Sequence, residues 1–170
     1  MRRLSEAASA ILKIEALVDS NVIIAALAGD HEHHVASANV FDRASEMTLG
    51  VGAHSYAEAY STLTRRGTHA PFQFTAEEAW AALESVRSIT QLIGLTPAQT
   101  FDTVRNYAGE GGIGPRLYDK MIGEVAVAHG VPVIVTWNLS HMRGLFPAIN
   151  VKTPSEFLQA HSSPGAVRNE

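Results

Sequence analysis

Short apolar runs and segments of helical period alternate along this chain. Residues 14–18 form an apolar run that ends at Asp19, and NVIIAALAG behind it predicts a helix closed by Gly29. A second helix is expected over residues 33–47, where Val35, Ala38, Val40, Phe41 and Ala44 recur at helical spacing. TLGVG (48–52) reads as a glycine-punctuated strand, and residues 53–66 as a helix stopped by Gly67. Thr75 and Glu78 open a capping box onto a helix that runs to Ile89. QLIGL (91–95) is the next strand; Thr96 then caps and Pro97 opens a helix reaching Tyr107. Behind the glycine-rich 109–115, residues 116–130 are helical, and VPVIVT (131–136) is the continuous β-branched run of a buried parallel strand. A last strand, INVKT (149–153), leads into PSEFLQ.

Strands alternating with helices of three to four turns imply βαβ units, hence an α/β fold of three layers with helices on both faces of a mainly parallel sheet. In such sheets ligands bind beyond the carboxyl ends of the strands, so acids and amides at those ends are the positions to weigh. At 170 residues, 46% hydrophobic and 18% charged, the chain suits one domain. That domain is expected over 14–158, with an N-terminal extension (1–13) and a polar C-terminal tail (159–170). A domain this size buries roughly 70% of its unfolded surface and needs no covalent staple. The absence of cysteine removes disulfides, thiolate zinc sites and a cysteine nucleophile, and favours an intracellular, cytoplasmic setting. No stretch approaches the roughly 20 apolar residues that cross a bilayer. A net charge of −4 argues against a general polyanion binder, so nucleic acid would be held by local basic patches or through cations.

Asp19 lies at the carboxyl end of the first strand; the plain alternative is a helix N-cap, a common place for Asp. Asp119 falls one turn into its helix beside an apolar stripe, where an acid is also favoured by the helix dipole. Thr136 and Asn138 sit at and just past the end of VPVIVT, although Asn also turns chains well. Glu58 has Tyr56, Ala57, Ala59 and Tyr60 as neighbours, and a partly buried carboxylate needs a partner, because an unpaired buried charge costs several kcal/mol. A metal would serve, and so would Arg65 or Arg66.

Taken together these positions resemble the PIN domain, the fold of VapC-type toxins of bacterial toxin-antitoxin pairs. The resemblance is carried by LVDSNVIIAAL, SYAEAYSTLTRR and LYDKMIGEVAVAHGVPVIVTWNLSHM, in that order, across residues 14–158. It implies that Asp19, Glu58 and Asp119 are acidic metal-binding residues and that Asn21 orients the first of them. Asn138, with Thr136 before it, stands where the family often has another Asp, which removes one negative charge from the ligand set. The implied cofactor is Mg²⁺ or Mn²⁺, since hard oxygen ligands without thiolate select these ions. The implied activity is metal-dependent endoribonuclease cleavage of RNA. Apart from the resemblance, Arg65, Arg66, Arg116, Lys120 and Arg143 are the basic residues that could hold flanking phosphates, and Trp137, at the rim, is the tryptophan that could stack on a base. The implied partners are a cognate small antitoxin and a second copy of the chain in a homodimer. The alternative is a PIN-like RNA- or protein-binding module with weak or no catalysis, of which Asn138 would be the symptom.

Other signals carry less. GEGGIG (109–114) matches a dinucleotide fingerprint in letters only, because it follows a helix instead of the first strand, and reads as a connector. DHEHH (30–34) reads as a solvated helix start with a minor role at the substrate entrance, because adjacent positions point to different helical faces. His141 reads as a structural imidazole on a short turn, and Trp80 as packing in an alanine-rich helix or across a dimer interface.

Overall fold

The computed structural model describes residues 13–68 and 70–161; the expected N-terminal extension and C-terminal tail fall, apart from Lys13 and residues 159–161, outside them. Five strands form one sheet: β1 (Ala16–Val18), β2 (Leu49–Gly52), β3 (Gln91–Ile93), β4 (Val133–Val135) and β5 (Asn150–Lys152). Their order is β3-β2-β1-β4-β5 and every pairing is parallel. The helices are α1 (Ser20–Leu27), α2 (His34–Asp42), α3 (Ala53–Leu63), α4 (Ala76–Ile89), α5 (Pro97–Gly109), α6 (Arg116–Ala128), α7 (Leu139–Leu145) and α8 (Pro154–His161).

Strand side chains alternate between faces, and the two cores follow that alternation. Ala16 and Val18 of β1 and Val135 of β4 point into a cluster with Val22, Ile23, Val40 and Phe157, from α1, α2 and α8. Leu17 and Ile134 point the other way, into a cluster with Ile122, Val125 and Met142 of α6 and α7. Both faces of the central strands are therefore dry, which is why these strands read as continuous apolar runs.

The capping box of Thr75 with Glu78 forms as spelled, and Thr96, expected as a cap, closes a second box with Gln99; each has both hydrogen bonds present. The glycine-rich connector turns between α5 and α6 through left-handed Gly111 (φ 76°) and Gly114 (φ 68°), conformations that glycine adopts freely. Tyr107 braces it by donating its hydroxyl to the Ile113 carbonyl (3.0 Å).

Several boundaries shift by one or two residues from the sequence reading, and three elements differ more. The second helix stops at Asp42 and tightens into a 3₁₀ turn, Arg43–Ser45. α3 stops at Leu63, short of the expected 66, where the Thr64 hydroxyl bonds the Tyr60 carbonyl (2.7 Å) and competes with the helix ladder. The stretch read as a turn around His141 is α7, whose seven residues are too few for a periodic signal.

Candidate active site

The strand order reverses between β1 and β4, whose connections leave toward opposite faces, and the crevice at their carboxyl ends is the expected ligand position. Asp19, directly after β1, and Thr136, directly after β4, both lie in it. Asp19 is buried and accepts three hydrogen bonds: from Thr136 Oγ1 (2.6 Å) and Asn21 Nδ2 (2.9 Å) on one oxygen, and from Ser20 Oγ (3.2 Å) on the other. Asn21 also donates to Thr136 Oγ1 (3.0 Å) and accepts the Trp137 backbone N–H (3.1 Å). The two central strand ends are thus tied together by side chains.

Asp119, in the first turn of α6, faces the start of α7. Asn138 Nδ2 donates to its Oδ2 (3.0 Å), and His141 Nδ1 meets the same oxygen. Asn138 is fixed in turn by its backbone N–H, which donates to Thr136 Oγ1 (3.0 Å). One Asp119 oxygen is therefore clamped by an amide and an imidazole.

Glu58 reaches the crevice from α3. It is half-buried, lies within hydrogen-bond reach of Ser20, and has an Oε2 with no hydrogen-bond partner among the described residues. On the same helix, His54 Nε2 and Ser55 Oγ are also buried without partners, and burial pushes the His54 imidazole down to about 4, so it is neutral.

The three acids share one electrostatic environment. Burial pushes Asp19 up from 3.8 to about 6; the Thr136 hydrogen bond opposes this and the charge of Asp119 adds to it. Burial likewise raises Glu58, with the Ser20 hydrogen bond opposing and the charges of Asp19 and Asp119 adding. Carboxylates that raise one another in a crevice, one with a buried oxygen left unpaired, are short of positive charge.

A hard divalent cation fits that deficit, because the groups left short of positive charge are carboxylate oxygens and no thiolate is present. Among the described residues no group of three or more His, Asp or Glu side chains is set closely enough to hold a metal ion. An open site is nevertheless what Mg²⁺ uses, since it keeps several waters and is bound through one or two carboxylates.

These pKa directions predict a pH dependence. Folded Asp19 retains a proton that the unfolded chain releases, so its contribution to metal-free stability is greatest below pH 3.8 and is lost as pH rises through about 6. A rise from 3.8 to about 6 corresponds to roughly 3 kcal/mol. Cation binding requires the ionised form and runs the other way. Mn²⁺ affinity followed by calorimetry is expected to climb about tenfold per pH unit up to about pH 6 and to level off above it; a flat profile from pH 5 to 8 would contradict the assignment.

Of the basic residues singled out from the sequence, Arg65 and Arg116 are exposed, and Arg116 stands one turn before Asp119 on α6. Arg66 donates to the Phe74 carbonyl (2.8 Å) and Arg143 to the Val151 carbonyl (2.8 Å). Lys120 is largely covered, over the Phe146 ring and toward Glu110 and Glu124. Trp137 is half-buried on the rim. Sequence reasoning missed Ser20 as a contact of both Asp19 and Glu58, and it set aside His141, whose spacing of three from Asn138 was the one available sign that both meet the same partner.

A family model described as the PIN domain matches residues 16–139. Solved structures with a similar fold include VapBC2 from Rickettsia felis bound to a DNA fragment from their promoter, at 17% identity and TM-score 0.57, covering 81% of this chain and 97% of that one. VapC20 of Mycobacterium tuberculosis, described as a sarcin-ricin loop cleaving toxin, is 14% identical with TM-score 0.60, over 79% of this chain and 98% of that one. FitAcB from Neisseria gonorrhoeae is 16% identical with TM-score 0.54, over 82% and 98%. No curated protein matches the chain.

Proposed function

The chain belongs to the PIN domain family, and from that premise we propose that it is a Mg²⁺- or Mn²⁺-dependent endoribonuclease, the toxin of a toxin-antitoxin pair. The observation that carries this reading is the meeting of Asp19, Glu58 and Asp119 at the β1/β4 crevice, where charge from one acid raises the next. Asp19, Glu58 and Asp119 would hold the ion, with the Asn138 carbonyl oxygen beside them.

When bound, the ion supplies Lewis-acid activation of a phosphoryl oxygen and of water. The protein's own side chains set the geometry. Thr136 and Asn21 lock the Asp19 carboxylate by hydrogen bonds to one oxygen, and Ser20 donates to the other. Asn138 and His141 hold Asp119 through one oxygen. Such supporting contacts orient metal ligands, and their loss typically costs 10–100-fold in affinity or activity. Arg116, exposed one turn before Asp119, and the exposed Arg65 would hold phosphates flanking the site.

RNA as the substrate is carried over from the family and from VapC20, which is described as cleaving the sarcin-ricin loop. The antitoxin partner is carried over from VapBC2, described with its promoter DNA. Pairing of two copies is supported by an apolar groove of about 580 Å³ lined by Tyr56, Tyr60, Trp80, Leu83 and Leu92, on the opposite face of α3 from Glu58. Trp80 is 63% exposed there, more than a lone domain needs. Among the described residues no helix is long and apolar enough to cross a membrane, and we place the protein in the cytoplasm.

Single-turnover cleavage of a structured RNA tests the reading. Cleavage is expected with Mg²⁺ or Mn²⁺, to vanish in EDTA, and to return on adding excess Mn²⁺. Undiminished cleavage in EDTA would sink it.

A further inference from the structure

A row of flat side chains begins at the rim of this crevice. Trp137 stands between Thr136, which bonds Asp19, and Asn138, which bonds Asp119. Its own position is held at both ends: the backbone N–H donates to Asn21 Oδ1 (3.1 Å), and the indole Nε1 donates to the buried Ser37 Oγ (3.0 Å). The His33 imidazole lies on the indole nearly parallel, with ring centroids 3.9 Å apart and planes at 15°. His31 follows at 5.6 Å and 43°, and Phe72 stacks beyond it at 6.1 Å and 25°.

The rings are not held equally. His31 Nδ1 accepts the His33 backbone N–H (3.1 Å), which ties that imidazole to the turn. The His33 ring, by contrast, has only a 3.9 Å approach to the exposed Glu32 carboxylate besides its stacking contacts, and its side chain is 38% exposed. His33 occupies the N-cap position of α2, yet its side chain makes no capping hydrogen bond. An anchored indole thus carries a loosely held flat ring on its open face, at the separation a nucleobase would adopt.

We propose that Trp137 is the stacking platform for the nucleobase beside the scissile phosphate of single-stranded RNA, and that the His33 imidazole occupies the place until the base displaces it. That this phosphate is cleaved rests on the ribonuclease reading; the stacking site does not. A base offers a larger π face than imidazole, and stacking on an aromatic side chain tolerates any sequence. The indole's fixed orientation means that little freedom is lost on docking. Thr136 and Asn138, on either side of Trp137, bond Asp19 and Asp119, so base binding and phosphate placement would share one rigid segment. His31 and Phe72 extend the row beyond His33.

The chain has two tryptophans, so in a Trp80→Phe background Trp137 is the sole indole reporter. The probe is octa-adenylate, together with versions carrying one abasic nucleotide at each position in turn, titrated in EDTA and again with Ca²⁺, oligonucleotide integrity being checked on gels. Octa-adenylate is expected to quench Trp137 emission. One abasic position should abolish the quench and weaken binding about 5- to 150-fold. Trp137→Phe should retain part of the affinity and Trp137→Leu lose it, with circular dichroism confirming that both fold. His33→Ala should bind at least as tightly as its parent, because a competitor for the indole has gone. An unquenched Trp137 under both conditions, or equal quenching by every abasic probe, overturns the platform; tenfold weaker binding by His33→Ala overturns the placeholder role. Cleavage by the parent chain in Mg²⁺ is scored separately: quenching without cleavage leaves the stacking site standing and removes the nuclease, whereas cleavage without quenching removes the stacking site alone.

Discussion

Replacing Asp19 or Asp119 by Asn is expected to lower Mg²⁺-supported RNA cleavage by about 10³-fold or more, roughly 4 kcal/mol of lost transition-state stabilisation, with the fold intact. Each substitution removes a charge that the proposed ion needs while keeping an amide of nearly the same shape. At position 19 the remaining carbonyl oxygen can still accept from Thr136 and Asn21, which bond a single carboxylate oxygen. The metal-free Asp19→Asn protein should melt no lower than the parent at pH 7.5, because a charge raised by burial has been removed. At position 119 the carbonyl oxygen can likewise accept from both Asn138 and His141, which meet a single carboxylate oxygen, though more weakly than a carboxylate does. The double variant should be little worse than either single one, since residues that act as a unit lose their effect together. Cleavage rates within tenfold of the parent in both single variants, with Mn²⁺-induced thermal shifts unchanged, would remove the active-site assignment.

The second large effect is on packing. Gly123 lies one turn beyond Asp119 on α6, and a Cβ built there would come within 1.9 Å of the Phe146 ring. Phe146 is buried at the end of α7 in the core beneath β1 and β4, and Lys120 lies over its ring. The missing side chain therefore lets α6 and α7 approach closely enough for Asp119 to meet Asn138 and His141. Over-packing a core of this kind costs about 1–3 kcal/mol and occasionally more. Ala recovers up to about 1 kcal/mol through helix propensity, so Gly123→Ala should lose roughly 1–2 kcal/mol and Gly123→Val about 3 kcal/mol or more. Urea denaturation should show a lower midpoint at unchanged slope. Phe146→Leu in the Gly123→Ala background should restore part of the loss, a coupling expected only if the two positions compete for space. If Gly123→Val were as stable as the parent, the close approach of α6 and α7 would not rest on this glycine.

The Thr75 capping box, the Thr96 cap, the strands and most helix ends were legible because their causes are local: Thr75 and Glu78 lie within four residues of each other, and Thr96 directly precedes Pro97. α7 was not, since seven residues held by packing of Met142 and Phe146 produce too short a pattern. Asp19, Glu58, Asp119 and Asn138 could be singled out by their placement at strand ends and in helices. What each would touch could not. Lys120 illustrates the limit: as a letter it is a basic residue beside Asp119, but its ammonium lies toward Glu110 and Glu124.

By itself the order of residues determined the alternation of strands and helices, the dryness of the central strands and the positions of the acids, because periodicity, capping and β-branched runs act over a few residues. Only the tertiary structure decided which side chains meet: Thr136 on Asp19 across 117 positions, Asn138 and His141 on one oxygen of Asp119, and His33 on Trp137. Those meetings depend on β4 settling beside β1 and on α6 closing against α7, long-range choices made by the sum of core packing and written in no local pattern.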